Sequence, residues 1–264
     1  MPRNRALAGA GGQVSAGMFR FICGLVAMIA AGAALAAEPS CPGAAPRRVA
    51  LPATAAALFH ERPITIVAIG SSSTAGSGAT APDRTYPARL AEMLATAWPH
   101  ATVKVLNRGV GGQMLDAVMN RLDADVLAAG PTLVIWQTGT NEAIRGMDET
   151  LFSEMLDEGV RRILATGADI VLMDSQIAAR VPEDRVAVFD ALLEKEARDR
   201  HVSLFSRTAL MREWSAGDPS GGAMIGADGL HHTDRGYACV AESLGQAIID
   251  SAAKGVPLAS VRKK

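Results

Sequence analysis

The stretch Ile64-Thr65-Ile66-Val67-Ala68-Ile69-Gly70-Ser71-Ser72-Ser73-Thr74-Ala75-Gly76 limits the possible folds more than any other part of the chain. An apolar, β-branched run follows Pro63 and stops at Gly70. Hydrophobicity without alternation marks a strand covered on both faces, as in a parallel sheet. Gly and Ser follow, so the strand ends in a tight turn lined with hydroxyls. In open α/β sheets, ligands gather outside the carboxyl ends of the strands, where the chain order reverses. A serine there is a candidate nucleophile, and Ser71, Ser72 and Ser73 all qualify on this ground.

The pattern repeats downstream. Leu90, Met93, Leu94 and Ala97 have helical spacing after Pro87, and Pro99 ends that helix. Val103 to Leu106 reads as a second strand, followed by helically spaced Leu115, Val118, Met119 and Leu122. Thr132 to Gln137 is a third strand, and Asp148 caps a helix carrying Phe152, Met155, Leu156, Ile163 and Leu164. Asp169 to Asp174 holds a fourth strand, Pro182 opens a helix, and Val202 to Phe205 is a fifth strand. A turn-rich stretch runs from Trp214 to Gly229, and Thr233 caps a last helix with Val240, Leu244 and Ile248. Strands alternating with helices predict a parallel sheet with helices on both faces. The expected fold is a flavodoxin-like three-layer α/β/α sandwich, five-stranded in the order 2-1-3-4-5, which makes the opening strand central.

The N-terminus reads differently. Arg3, Arg5 and Arg20 precede an apolar run from Phe21 to Ala36, and Ala34-Leu35-Ala36 has the small-x-small form of a cleavage site. This is the pattern of a secretory signal peptide over 1–36, cut after Ala36, leaving a periplasmic or secreted product with no stable membrane anchor. The run is short for a membrane span, which takes about 20 residues. Residues 37–63 form a Pro/Ala-rich lead-in, expected to be extended over the surface. The main domain covers 64–253, and 254–264 is a tail. Cys23 leaves with the signal, so Cys41 and Cys239 remain as a candidate disulfide pair in an oxidising compartment.

A formal net charge of -1 gives no electrostatic footprint for nucleic acid. No Gly-Lys-Ser/Thr or Gly-x-Gly-x-x-Gly run supports a nucleotide site, and no cysteine or histidine spacing suits a metal. No cofactor is expected. Aromatic residues are only 4% of the chain, which disfavours an extensive sugar-stacking platform. His60, His100 and His201 are expected to be solvated, and His232 to lie at the surface. Trp98 and Trp136 are expected in the core, with Trp214 a weaker candidate for lining a cleft. Arg145 and Arg180 follow strand ends and are expected to be solvated, with contact to an anionic or sugar substrate the alternative for either.

Polar clusters end the first three strands: Gly70 to Ser73, Asn107 to Gly112, and Gly139-Thr140-Asn141. A fourth, Asp228-Gly229-Leu230-His231-His232, precedes the last helix. Ser, His and Asp are the parts of nucleophilic acyl transfer. The imidazole takes the hydroxyl proton, and a carboxylate fixes its tautomer. Backbone N–H groups beside glycines, with an Asn amide, can hold an oxyanion.

Together these blocks resemble the SGNH, or GDSL, hydrolases, a family of esterases and acyltransferases. The resemblance spans Ile64 to about Ile249. The Gly-Asp-Ser block stands as Gly70-Ser71-Ser72-Ser73-Thr74, which implies Ser72 as nucleophile and first oxyanion donor. Asn-x-x-x-x-Gly stands as Asn107 to Gly112 and implies Gly112 as second donor. Gly-x-Asn-Asp stands as Gly139-Thr140-Asn141-Glu142 and implies Asn141 as third. Asp-x-x-His stands as Asp228 and His231. Two residues depart from the pattern: Ser71 and Glu142 replace aspartates, and Ser71 puts the stiffness of the nucleophile turn in question.

The resemblance implies an exported serine esterase acting on a small-molecule or glycan-linked acyl ester. An acyltransferase on an envelope glycan would use the same intermediate, and a non-catalytic glycan- or lipid-binding protein could keep the same fold. Loops at Ala143 to Asp148, Gln176 to Pro182 and Trp214 to Ala227 are expected to shape the pocket.

Overall fold

A computed structural model describes residues 41–42, 47–217 and 224–254. The expected signal segment and residues 255–264 of the tail lie outside these. Five strands form one parallel sheet: β1 (Ile64–Gly70), β2 (Val103–Gly109), β3 (Leu133–Gln137), β4 (Asp169–Met173) and β5 (Ser203–Phe205). Their order is β2-β1-β3-β4-β5, as the alternation predicts. The helices are α1 (Pro52–Phe59), α2 (Ser72–Ala75), α3 (Tyr86–Ala97), α4 (Leu115–Met119), α5 (Leu122–Asp125), α6 (Thr140–Arg145), α7 (Glu149–Leu164), α8 (Glu183–Arg200), α9 (Arg207–Gly217) and α10 (Asp234–Lys254).

Strand periodicity divides the core. Alternate side chains point to opposite faces of a strand. Ile64, Ile66 and Ala68 of β1, with Leu133 and Ile135 of β3, therefore pack against Leu90, Leu94, Val240, Leu244 and Ile248 of α3 and α10. Val67, Ile69, Val134 and Trp136 face the other way, onto Phe152, Leu156, Val160, Phe189 and Leu193 of α7 and α8. Both central strands thus send apolar side chains to both faces, which explains the missing alternation in the sequence.

The lead-in is not extended throughout. Pro52–Phe59 is helical and buries Thr54, Ala55 and Ala57. Pro52 suits the first turn. The other signal is non-local: the Asp169 carboxylate accepts hydrogen bonds from Ala53 N (3.1 Å), Thr54 N (2.7 Å) and Thr54 Oγ1 (2.7 Å). It holds the helix N-terminus from the start of β4, where sequence spacing cannot reveal it. Cys41 and Cys239 form a disulfide, with Cα atoms 5.5 Å apart, so the lead-in is also fastened to α10. Helix α9 occupies chain that no expected element covered and extends past Trp214 to Gly217.

Candidate active site

The first strand and the last helix approach one another at the carboxyl edge of the sheet. β1 ends at Gly70, and Ser72 opens the one-turn helix α2. Gly70 and Gly109 make this turn possible. A Cβ on Gly70 would stand 2.6 Å from Thr74 Oγ1 and 2.8 Å from the Gln137 carbonyl, and one on Gly109 would collide with the Ala75 amide. Only a bare backbone lets β2 pass so close to α2.

Ser72 Oγ lies 2.9 Å from His231 Nε2, although 159 positions separate the residues. His231 Nδ1 lies 2.5 Å from Asp228 Oδ2. Asp228 Oδ1 also accepts from Leu230 N and His231 N, both at 3.0 Å. The imidazole and these amides pull the Asp228 carboxyl down to about 2. The carboxylate therefore stays ionised at neutral pH and fixes the tautomer that donates from Nδ1 and accepts at Nε2.

The segment bearing Asp228 and His231 is a small hairpin. Gly226 N donates to His231 O (2.8 Å) and Thr233 N to Met224 O (3.1 Å), with a bridge between Ile225 and His232. Consecutive residues of such a segment face opposite ways. His231 faces Ser72, while His232 turns inward. The surface position expected for His232 is thus corrected: it is 1% exposed, between the rings of Trp214 and Tyr237, and burial pulls it down to about 3. It is a neutral core side chain. Trp214 is likewise buried, whereas His60, His100 and His201 are exposed as expected.

On the opposite bank, Asn141 sits in the first turn of α6 and its Nδ2 donates to Gln113 O at 2.7 Å. That bond puts the amide against the loop that carries Gly112, which has a left-handed φ of 74°. Among the described residues, no acceptor is bonded to the N–H of Ser72 or of Gly112. A model of the Non-GDSL lipase-like family matches residues 40–254.

This chain belongs to that family. The resemblance to SGNH/GDSL hydrolases read from the four blocks stands with it. TesA superposes with a TM-score of 0.60 at 21% identity, over 70% of this chain and 97% of that one. A two-domain esterase (CEX) active on acetylated mannans, co-crystallised with mannopentaose, gives 0.68 at 22% identity, over 80% of this chain and 56% of that one. The acetylxylan esterase Axe2 from Geobacillus stearothermophilus gives 0.59 at 17% identity, over 70% and 94%. At these identities the likeness is one of fold. No curated protein matches the chain in sequence.

The family description, Non-GDSL, suits a block that reads Gly70-Ser71-Ser72-Ser73. In this lipase-like protein a glutamine stiffens the turn. The buried Gln137 Oε1 accepts from Ser71 N (3.0 Å), Ser71 Oγ (3.1 Å) and Thr74 Oγ1 (3.2 Å). The other departure, Glu142, joins the two loops of the Asn141 bank. Its carboxylate accepts from Leu115 N (2.7 Å), Thr138 Oγ1 (3.0 Å) and Gly139 N (2.9 Å), and burial raises its pKa.

A second glutamine, at the start of one loop expected to shape the pocket, links the two halves of the site. Gln176 Oε1 accepts from Ser73 Oγ, and its Nε2 donates to Leu230 O, both at 2.5 Å. It is a buried strut between the Ser72 turn and the histidine hairpin. Gln176→Leu is expected to lower kcat for 4-nitrophenyl acetate on the order of tenfold to a hundredfold, because small misplacements of reacting groups carry such costs. KM should change little. A drop in melting temperature with kcat intact below the transition would show the strut to be structural only.

Proposed function

We propose that the protein is an exported serine esterase that cleaves short-chain acyl esters through an acyl-enzyme. The observation that carries this reading is the chain of contacts from Ser72 Oγ to His231 Nε2 (2.9 Å) and from Nδ1 to Asp228 (2.5 Å). Ser72 Oγ attacks the ester carbonyl as its proton passes to His231 Nε2, and Asp228 steadies the resulting imidazolium. The oxyanion is held by the N–H groups of Ser72 and Gly112 and by Asn141 Nδ2. The intermediate collapses, the alcohol leaves with the proton from His231, and an acyl group remains on Ser72. Water, activated by the same imidazole, then releases the acid.

Solved structures of the same fold act on acetylated mannans or are acetylxylan esterases, which supports carbohydrate-linked esters as a class to test. Export is supported by the signal-like segment and by the Cys41–Cys239 disulfide, since such bonds persist in oxidising compartments. The direct test is a fluorophosphonate probe on the folded protein, followed by peptide mass spectrometry. The expected result is a single adduct on the peptide carrying Ser72. An unlabelled protein, or an adduct on another residue, would overturn the assignment.

A further inference from the structure

We propose that Arg145 is the docking point for a carboxylate on the substrate, so that the preferred esters carry a negative charge close to the bond cleaved. The inference rests on the esterase reading and narrows its substrate class. Asn141 and Arg145 are four residues apart on α6, and such positions are neighbours on one helix face. Asn141 is anchored on the Gly112–Gln113 loop by its bond to Gln113 O. Arg145 leans onto the same loop: its Nη2 lies 3.5 Å from where a Cβ on Gly112 would stand. The guanidinium therefore overhangs the glycine whose N–H is assigned to the oxyanion.

Two nearby arginines are committed elsewhere, while Arg108, at the end of β2, is exposed. Arg121 pairs with Asp125 and donates to the Gly70 carbonyl, and Arg185 pairs with Glu149. The Arg145 side chain is exposed and makes no ion pair or hydrogen bond among the described residues. A guanidinium is a planar fork that matches a carboxylate through two parallel bonds. Two exposed apolar side chains lie on the same segments. Ile144 is 38% exposed and Val110 is 42% exposed, each on a segment that carries a proposed oxyanion donor. An acetyl group is too small to use this bank. A chain of a few carbons ending in a carboxylate would cover these apolar side chains and reach the fork. Arg180, the other candidate cation, lies on the opposite bank with its stem over Gly229.

The test compares 4-nitrophenyl hemisuccinate, charged in the acyl part, 4-carboxyphenyl acetate, charged in the leaving group, and neutral 4-nitrophenyl valerate. The readout is kcat/KM for each charged ester relative to the valerate ester. For at least one charged ester, Arg145→Ala is expected to reduce that ratio on the order of tenfold, the scale of one charge-assisted contact. Arg145→Glu should reduce it further, and Arg145→Lys should keep part of it. Which charged ester responds tells whether the carboxylate belongs to the acid or to the alcohol. Ratios unchanged in all three variants would overturn the proposal while Ser72-dependent cleavage of the valerate ester upheld the esterase reading. No Ser72-dependent cleavage of any ester would overturn both.

Discussion

Alanine at position 72 is expected to leave the fold intact and to lower ester hydrolysis by a factor on the order of 10⁴–10⁶. The expectation follows from where the three adjacent hydroxyls go. Ser71 Oγ donates to Gln137 and Ser73 Oγ to Gln176, both inside the core. Only Ser72 Oγ meets the imidazole, at 2.9 Å. Neither neighbour can substitute without breaking a buried hydrogen bond. Removing the Ser72 hydroxyl leaves no buried partner unsatisfied, so the thermal melt of Ser72→Ala should match that of the parent. His231→Ala should cost a similar factor, and the double variant little more, because the two groups act as a unit. Steady-state turnover of 4-nitrophenyl acetate with a parallel melt measures all of this. Full activity in Ser72→Ala would end the assignment.

The second large effect is expected at Asn141. Asn141→Ala should lower kcat on the order of 10²–10³ with KM nearly unchanged, the signature of a donor that matters only once charge develops on the carbonyl oxygen. The geometry makes the donor rigid: one hydrogen of the amide is held by Gln113 O, which aims the other. Asn141→Asp should be no better than alanine, since it places an acceptor where the oxyanion forms. The rate of phosphonate labelling at Ser72 should fall in parallel, because that reaction also develops an oxyanion-like transition state. A loss expressed wholly in KM would make Asn141 a substrate contact instead.

The sheet was legible because its central strands are uniform. Val67 or Ile135 can only sit in an interior with helices on both sides, and the hydroxyl and glycine runs mark where each strand stops. Ser72, Gly112, Asn141, Asp228 and His231 could be named because each lies in a short local motif. What escaped depended on partners far away in sequence. Helix α1 is capped by Asp169, more than a hundred positions on. Gln137 and Gln176 look like ordinary strand-end amides until Ser71, Ser73 and Leu230 are brought to them. His232 was misread because its position next to His231 says nothing of a hairpin that turns one ring inward.

The distance along the chain between nucleophile and base has a consequence for how the protein is made. β1 and its serines are synthesised well before the imidazole that, on the esterase reading proposed above, activates Ser72: His231 lies 159 positions on, in the hairpin that precedes α10. On that reading Ser72 is an ordinary alcohol, inert toward the esters of its surroundings, until the hairpin docks. Onset of catalysis would therefore report arrival of the hairpin at the end of β1, and a nascent chain is expected to be chemically silent until then.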